Sequence, residues 1–434
     1  MYPNLQFALQ DLFNINVPGL RFINSFGLFV AIAFLVGAWF LARELRRKSR
    51  QGFFQPTEMK ITVGKPAGTA DLMINFLLGF LLGYKILALF FLSSEATQNP
   101  QAFIFSSMGS WPLGLILGSL FAFLKWREKA KHKLERPEER MVRLWPEDRV
   151  GEFTIIALIF GLVGAKMFDI FENWEAFKLR PADYIFSGGG LTFYGGLILA
   201  TLAIIWYARK HRISLRHLAD SIAPALMIAY AIGRIGCQVA GDGDWGIFNS
   251  AYASTPDGQV VAAQPGQFVQ TVSINNAFFS EYVAQSGADS VQHTSVTKPS
   301  ALGFLPDWMF AYNYPHNVNS VGVKLPGCTG EYCSQLPVPA FPTPFYETLA
   351  CLLLFGVLWA LRTKMRIPGT LFALYLILNG LERFFIEKIR VNNRMNSLPF
   401  NPTQAEVISL GLVFVGIILW IFLRQKYQAS PRKV

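Results

Sequence analysis

Cysteine is scarce in this chain, with four in 434 residues, and the scarcity narrows the chemistry. Cys328 and Cys333 lie together in "GCTGEYC", a spacing that suits half of a metal site, but no second ligand pair accompanies them and a metal centre is not expected. The same spacing allows a local disulfide in an oxidising compartment. Cys237 and Cys351 fall inside apolar runs. No internal repeat is visible, which weakens an inverted-repeat transporter reading. No nucleic-acid motif is present either. The N-terminal "MYPNLQFALQDLFNINVPGL" lacks the basic start and small-residue cleavage pattern of a removed signal peptide, so the first apolar run is expected to stay in place.

What the chain has is hydrophobic length. It is 52% hydrophobic and 15% aromatic, with mean hydropathy +0.33, and its apolar residues gather in runs of about twenty, the length that crosses a bilayer. The runs near 24–42, 72–93, 111–124, 152–171, 191–207, 219–239, 345–361, 369–387 and 405–423 predict an all-α polytopic membrane protein of about nine transmembrane helices. Every second connection is basic, and these connections hold 27 of the 39 Lys and Arg. Such loops stay cytoplasmic, which puts the N-terminus outside and the C-terminus inside. The net charge of +11 then follows from topology and attraction to anionic membrane lipids.

The longest stretch between spans, 240–344, is rich in Gly, Pro, Ser, Asn and Gln and falls on the external side. Alternating runs such as "QFVQTVSI" predict an irregular, β-containing head there. The chain therefore divides into 1–49 with the first span, 50–149 with spans two and three and a basic connection, 150–239 with spans four to six, the head 240–344, and 345–434 with the last three spans.

Charged groups inside spans are costly and mark functional positions unless satisfied by protein or water. Lys85 and Lys166, near span ends, read as side chains reaching outward to the interface. Asp220 reads as a helix cap. Arg234 stands apart: it lies near the external end of its span, just before the turn "GDGDWG". In "LILNGLERFFIEKIR", Arg383, Glu387 and Arg390 recur at intervals of four and three and share one helix face, while Glu382 points elsewhere. Two arginines converging at an external membrane cavity suit a phosphate, because the guanidinium fork binds oxygen anions bidentately and keeps its charge. A structural Arg–Glu pair is the plain alternative. The acidic turn does not complete a calcium loop. In "SGGGLTFYGGLILA" the glycines permit close helix approach, and Tyr194 by itself reads as an interface anchor.

Together these stretches resemble the prolipoprotein diacylglyceryl transferase family. "GGGLTFYGGL" is similar to its glycine-rich motif, "LADSIAPALMIAYAIGRIGCQVAGDGDWG" to its arginine signature, "PTPFYETL" to its Pro-Ser-Gln-Leu-Tyr-Glu, and "ERFFIEKIR" to its Arg-Phe-x-x-Glu-x-x-Arg. The resemblance covers the first span and about 150–424, and leaves 50–149 as an insertion. It implies a multi-pass enzyme of the bacterial inner membrane that moves the diacylglyceryl group of phosphatidylglycerol onto the lipobox cysteine thiol of prolipoprotein signal peptides. A thioether forms and glycerol-1-phosphate leaves, with no cofactor and no metal. Carried onto this chain, the resemblance assigns the phosphate to Arg234 and Arg383, the orientation of Arg383 to Glu387, and to Arg390 either support of the residues that touch the phosphate or a head-group contact. It puts Tyr194 at the position nearest the thiol, and adds Gly195, Gly196, Gly246 and Asp242 or Asp244 to the substrate site.

The chain departs from the family pattern at several of these positions. Tyr194 replaces a histidine, Phe26 and Asn379 each replace a tyrosine, and Cys237 replaces an asparagine. A tyrosine, ordinarily titrating near pH ~10, is a poor base at neutrality. Two other classes stay open: a transporter that recognises an anionic solute through the same arginines, and a non-catalytic lipoprotein-binding relative.

Overall fold

The computed structural model describes residues 1–91, 103, 106–186, 192–286, 290–392, 395 and 401–429. Its helices are α1 (Leu5–Phe13), α2 (Ser25–Arg50), α3 (Thr69–Leu81, continued by tighter and wider turns to Phe90), α4 (Trp111–Lys131), α5 (Val150–Glu172), α6 (Trp174–Leu179), α7 (Pro181–Phe186), α8 (Phe193–Lys210), α9 (Leu215–Ala240), α10 (Gln267–Ile274), α11 (Asn276–Ser286), α12 (Thr343–Leu361), α13 (Thr370–Glu387) and α14 (Gln404–Ala429). Among the described residues six helices are long and apolar enough to cross a membrane: Ser25–Arg50, Thr69–Phe90, Pro146–Glu172, Leu215–Ala240, Thr343–Leu361 and Gln404–Gln428. The other three expected runs are helical too, as α4, α8 and α13, each with charged residues at or inside one end. Helix is the natural outcome for such runs, since lipid offers no partner to a backbone N–H or C=O and a helix satisfies both internally.

The chain forms two compact units. One comprises Leu5–Ile23 and Ala42–Leu215. In it, β1 (Thr57–Val63) pairs antiparallel with β2 (Glu138–Leu144), from Thr57 opposite Leu144 to Val63 opposite Glu138. The ladder brings the two ends of the segment that carries α3 and α4 together, so that these helices leave and return at one hairpin base. Lys85 does not reach outward as expected. Its Nζ donates to the carbonyls of Phe103, Ser106 and Met108, and these spare the ammonium a journey to water. Helices α5 and α8 touch through glycines: a Cβ on Gly195 would lie 2.4 Å from the Gly164 carbonyl oxygen.

The other unit comprises Met1–Asn4, Asn24–Leu41 and Arg216–Val434. Its helical core gathers Met227 and Ala231 of α9, Cys351 and Leu358 of α12 and Leu371 of α13. Asp220 caps a helix, though not its own. Its two carboxylate oxygens accept from the backbone N–H of Gly369 at 2.7 Å and of Phe372 at 2.9 Å, tying α9 to the start of α13.

Residues 241–342 of this unit carry short elements: β3 (Phe248–Asn249), β4 (Tyr252–Ser254), β5 (Val260–Ala262), β6 (His293–Thr294), β7 (Val323–Lys324) and β8 (Ser334–Gln335). The pairs are β3 with β6 (parallel), β4 with β5, and β7 with β8 (both antiparallel). They surround a core of Trp245, Phe248, Phe279, Tyr314, Leu336, Val338 and Ala340. "QFVQTVSI", read above as an alternating strand-like run, is instead helix α10. Phe268 and Val272, four residues apart, pack as one helical face on that core, and tertiary contact overrides the alternation. Cys328 and Cys333 form a disulfide.

Candidate active site

Three helices of this unit deliver charge to one place. Arg234 lies two turns from the end of α9, Glu347 one turn into α12, and Arg383 and Glu387 in the last turns of α13. Glu347 is wholly buried and holds the cluster together. One of its oxygens meets Arg234 Nε at 2.8 Å, and the other accepts from Arg383 Nη1 at 2.9 Å and from the Tyr230 hydroxyl at 3.2 Å. Arg383 also pairs with Glu387, 3.1 Å away. Glu387 in turn accepts from the Asn392 amide at 2.5 Å and the Thr403 hydroxyl at 2.8 Å.

The turn after α9 closes the cluster. Asp244 accepts from Arg234 Nη1 through one oxygen and from Arg390 Nη2 through the other, at 2.6 Å in the second case. Gly246 makes this approach possible: its backbone bridges that of Arg390, and a Cβ there would stand 2.4 Å from the Ile389 carbonyl oxygen. The neighbouring Ile247 N–H donates to that carbonyl at 2.8 Å.

Between the two acids expected in this turn, the geometry selects Asp244. Burial works against its charge, but Arg390 and Arg234 overcome the penalty and hold it at about 2. Asp242 is pushed up, by burial first and by Asp244 second; its Oδ1 accepts the Asp244 N–H at 3.3 Å. The Cys237 sulfur and carboxylate oxygens of Asp242 and Asp244 lie within 4.8 Å of one another. With both Asp244 oxygens engaged by guanidiniums, this trio does not offer a divalent cation a free set of donors.

The cluster balances three guanidiniums against Glu347, Asp244 and Glu387, and several donors are left over. Arg390 Nε and Nη1 are buried without a hydrogen-bond partner among the described residues, Nη1 lying 3.7 Å from a Glu347 oxygen as an ion pair. So are both oxygens of Glu382, which lies one residue before Arg383 and is also buried. Spare N–H groups on buried guanidiniums, which cannot shed their protons, suit an anion with several oxygens.

The structure thus brings together Arg234, Arg383, Arg390, Glu387, Asp244 and Gly246. Phe26 sits beside the arginine helix, with its Cα 3.4 Å from where a Cβ on Gly236 would lie. Asn379, one turn before Arg383, makes no side-chain hydrogen bond among the described residues. Tyr194, Gly195 and Gly196 open α8 in the other unit. Gly195 and Gly196 pack there on α5; Ser187 to Leu191 of the glycine-rich stretch lie outside the described residues. Sequence reasoning gave no role to Glu347 or Tyr230. An acid within an apolar run was the available signal for Glu347, since a buried carboxylate needs cations.

The chain matches the family model for prolipoprotein diacylglyceryl transferase over residues 106–422. The match therefore begins inside the segment set apart above as an insertion, and includes α4. Among similar proteins is the phosphatidylglycerol–prolipoprotein diacylglyceryl transferase of Dehalococcoides mccartyi, 24% identical over 342 residues that cover 78% of this chain and 98% of that one. A protein of the same name from Bacillus cereus is 27% identical over 290 residues, covering 66% of this chain and 81% of its own.

Proposed function

The chain belongs to the prolipoprotein diacylglyceryl transferase family, and from that premise we propose that it transfers the diacylglyceryl group of phosphatidylglycerol to the cysteine thiol of a prolipoprotein. The observation that carries the reading is the arginine cluster bridged by Glu347. In this reaction the thiol sulfur attacks the glyceryl carbon, the carbon–oxygen bond to phosphate breaks, and its electron pair stays on the phosphate oxygen. The charge developing there is what fixed cations in a partly dry cavity stabilise best.

Arg234 and Arg383 hold the phosphate in this reading. Glu347 fixes both guanidiniums against one carboxylate, so their spacing is set before substrate arrives and no reorganisation is needed during the reaction. Asp244 and Glu387 orient them from the flanks, and Arg390 adds unspent donors towards the head group. Phe26, Asn379 and Gly246 complete the substrate surroundings in this unit, and the lipobox of the signal peptide supplies the thiol. In this reading α2, α3, α4, α5, α8, α9, α12, α13 and α14 each span the inner membrane, with 240–344 as an external head and the basic loops in the cytoplasm. The cluster lies towards the external ends of α9 and α13, on the side from which a lipoprotein precursor presents its cysteine. A solute carrier would instead break its helices at mid-membrane; α9 runs unbroken through Pro224.

The test is transfer by the purified full-length protein in phosphatidylglycerol liposomes, with a lipobox peptide and product read by mass. Wild type should add the diacylglyceryl mass. Arg234→Ala should lose at least about a hundredfold in kcat, the scale of removing a group that stabilises transition-state charge. Glu347→Gln should lose activity and lower Tm together, because it removes the charge that Arg234, Arg383 and Arg390 share. A folded wild type with no product, beside an active reference transferase, would overturn the reading.

A further inference from the structure

A thiol substrate raises a proton problem that the arginines do not solve. Free thiols ionise near pH ~8.5, so a group that takes the proton speeds attack at neutrality. Three of the acids are committed, since Glu347, Asp244 and Glu387 each hold guanidiniums; Glu382, whose oxygens have no hydrogen-bond partner among the described residues, is buried and does not line the cavity beside the cluster.

Beside the cluster is a cavity of 420 Å³, lined by Arg390, Glu387, Lys388, Glu406, Asn392 and His293 among others. That volume is in the range of small-molecule sites. Arg390 contributes the buried Nε and Nη1 that have no hydrogen-bond partner. Lys388 and Glu406 neutralise each other at 2.5 Å, and Glu406 also accepts the Thr403 N–H at 3.0 Å. Glu387 is filled by Arg383, Asn392 and Thr403. Of the proton-accepting side chains on this wall, Glu387 and Glu406 are both paired with cations, whereas His293 keeps at Nε2 an atom with neither a hydrogen bond nor an ion pair among the described residues.

His293 is held firmly for a side chain with an open face. Its backbone is paired with Phe248 in the parallel β3–β6 ladder. Its ring lies 4.0 Å from the Phe268 ring, and its Nδ1 is 3.1 Å from the Ser250 hydroxyl. When Ser250 accepts the Nδ1 proton, Nε2 carries the lone pair, because the bond made by one ring nitrogen fixes the role of the other. No partner occupies Nε2 among the described residues. The same strand β3 follows directly on the Asp244–Gly246 turn, so the segment that closes the arginine cluster also positions the imidazole.

We propose that His293 is the proton acceptor for the substrate thiol, a role that rests on the transferase reading above. Nε2 takes the thiol proton, and the sulfur electron pair forms the bond to the glyceryl carbon. The carbon–oxygen bond breaks, its pair stays on the phosphate held by the arginines, and the imidazolium returns the proton to that phosphate. The sum is one thioether formed, one phosphate ester bond broken and one proton moved from sulfur to phosphate.

The test uses the full-length protein in phosphatidylglycerol liposomes with the lipobox peptide. His293→Ala should lower kcat about a hundredfold, the low end for general base catalysis, while KM for the peptide stays within about twofold. Free imidazole should recover at least about tenfold of that loss, and none in Arg234→Ala. His293→Gln, which keeps an amide near Ser250, should retain the wild-type Tm and still be slow. Wild-type kcat in either variant would overturn the proposal and leave the transferase reading standing. Loss that imidazole does not restore, with KM raised and Tm lowered, would overturn it as well, by giving His293 a structural role. No transfer by wild type would remove both.

Discussion

Glu347 shows how much a single buried carboxylate organises: with no exposed surface, it meets Arg234, Arg383 and Tyr230. The arginines were readable as arginines in apolar helices. Their common partner was not, because Glu347 is distant from both in sequence and its neighbours in "PTPFYETL" carry no charge. The choice between Asp242 and Asp244 was equally closed to spacing, since both lie within reach of the turn. It has a pH consequence. Asp244 is held at about 2, below the ordinary aspartate value of about 3.9. An acid lowered in the folded state contributes stability that is complete above about pH 4 and is lost as pH falls towards its folded value. The Tm of wild type should therefore drop more steeply from about pH 4 to about pH 2 than that of Asp244→Asn. Asp242, shifted upward, carries the opposite sign, and Asp242→Asn should leave the acid-side slope in place. Parallel slopes for wild type and Asp244→Asn would separate Asp244 from the arginines.

At the scale of elements, helix periodicity placed Arg383, Glu387 and Arg390 on one face; α13 carries the first two but ends at Glu387, and Arg390 reaches the same cluster from beyond the helix, on backbone that bridges Gly246. Periodicity was a poorer guide in the head, where "QFVQTVSI" folds as α10 because Phe268 and Val272 have an aromatic core to meet. Asp220 illustrates a third case, in which the residue role was legible and its target was not. A carboxylate suits a helix N-terminus, but which helix depends on where α9 passes α13. Both its oxygens are spent on the first turn of the helix that carries Arg383. Asp220→Ala should cost about 1–2 kcal/mol of stability, the usual range for a lost cap, with transfer reduced because the far end of α13 holds the site. Denaturation followed by transfer kinetics checks both. Unchanged Tm with Asp220→Ala would mean that the cap is carried by water or another side chain.

For the whole molecule, the alternation of basic connections predicts which segments face the cytoplasm, and this is open to direct measurement. A cysteine placed at Thr62, on the β1–β2 hairpin, should react with an impermeant maleimide only after the membrane is opened. One placed at Thr255, in the head, should react from outside in intact cells. Reversed labelling would invert the topology and put the arginine cluster on the cytoplasmic side. The disulfide between Cys328 and Cys333 fits the external placement, since oxidising compartments favour such bonds.

The sequence by itself determined the apolar helices, the alternation of charge between them and the helical face shared by Arg383 and Glu387. These are properties of neighbours along the chain, set by hydrophobic run length and the 3.6-residue repeat. Only the tertiary structure decided that Glu347 joins Arg234 to Arg383, that Asp244 rather than Asp242 receives Arg390, and that His293 opens onto the cavity beside it. Each of these meetings joins residues far apart in sequence, on helices or strands whose packing no local pattern records. Buried charge is stable only where such partners converge, so the site came into view when the helices were placed.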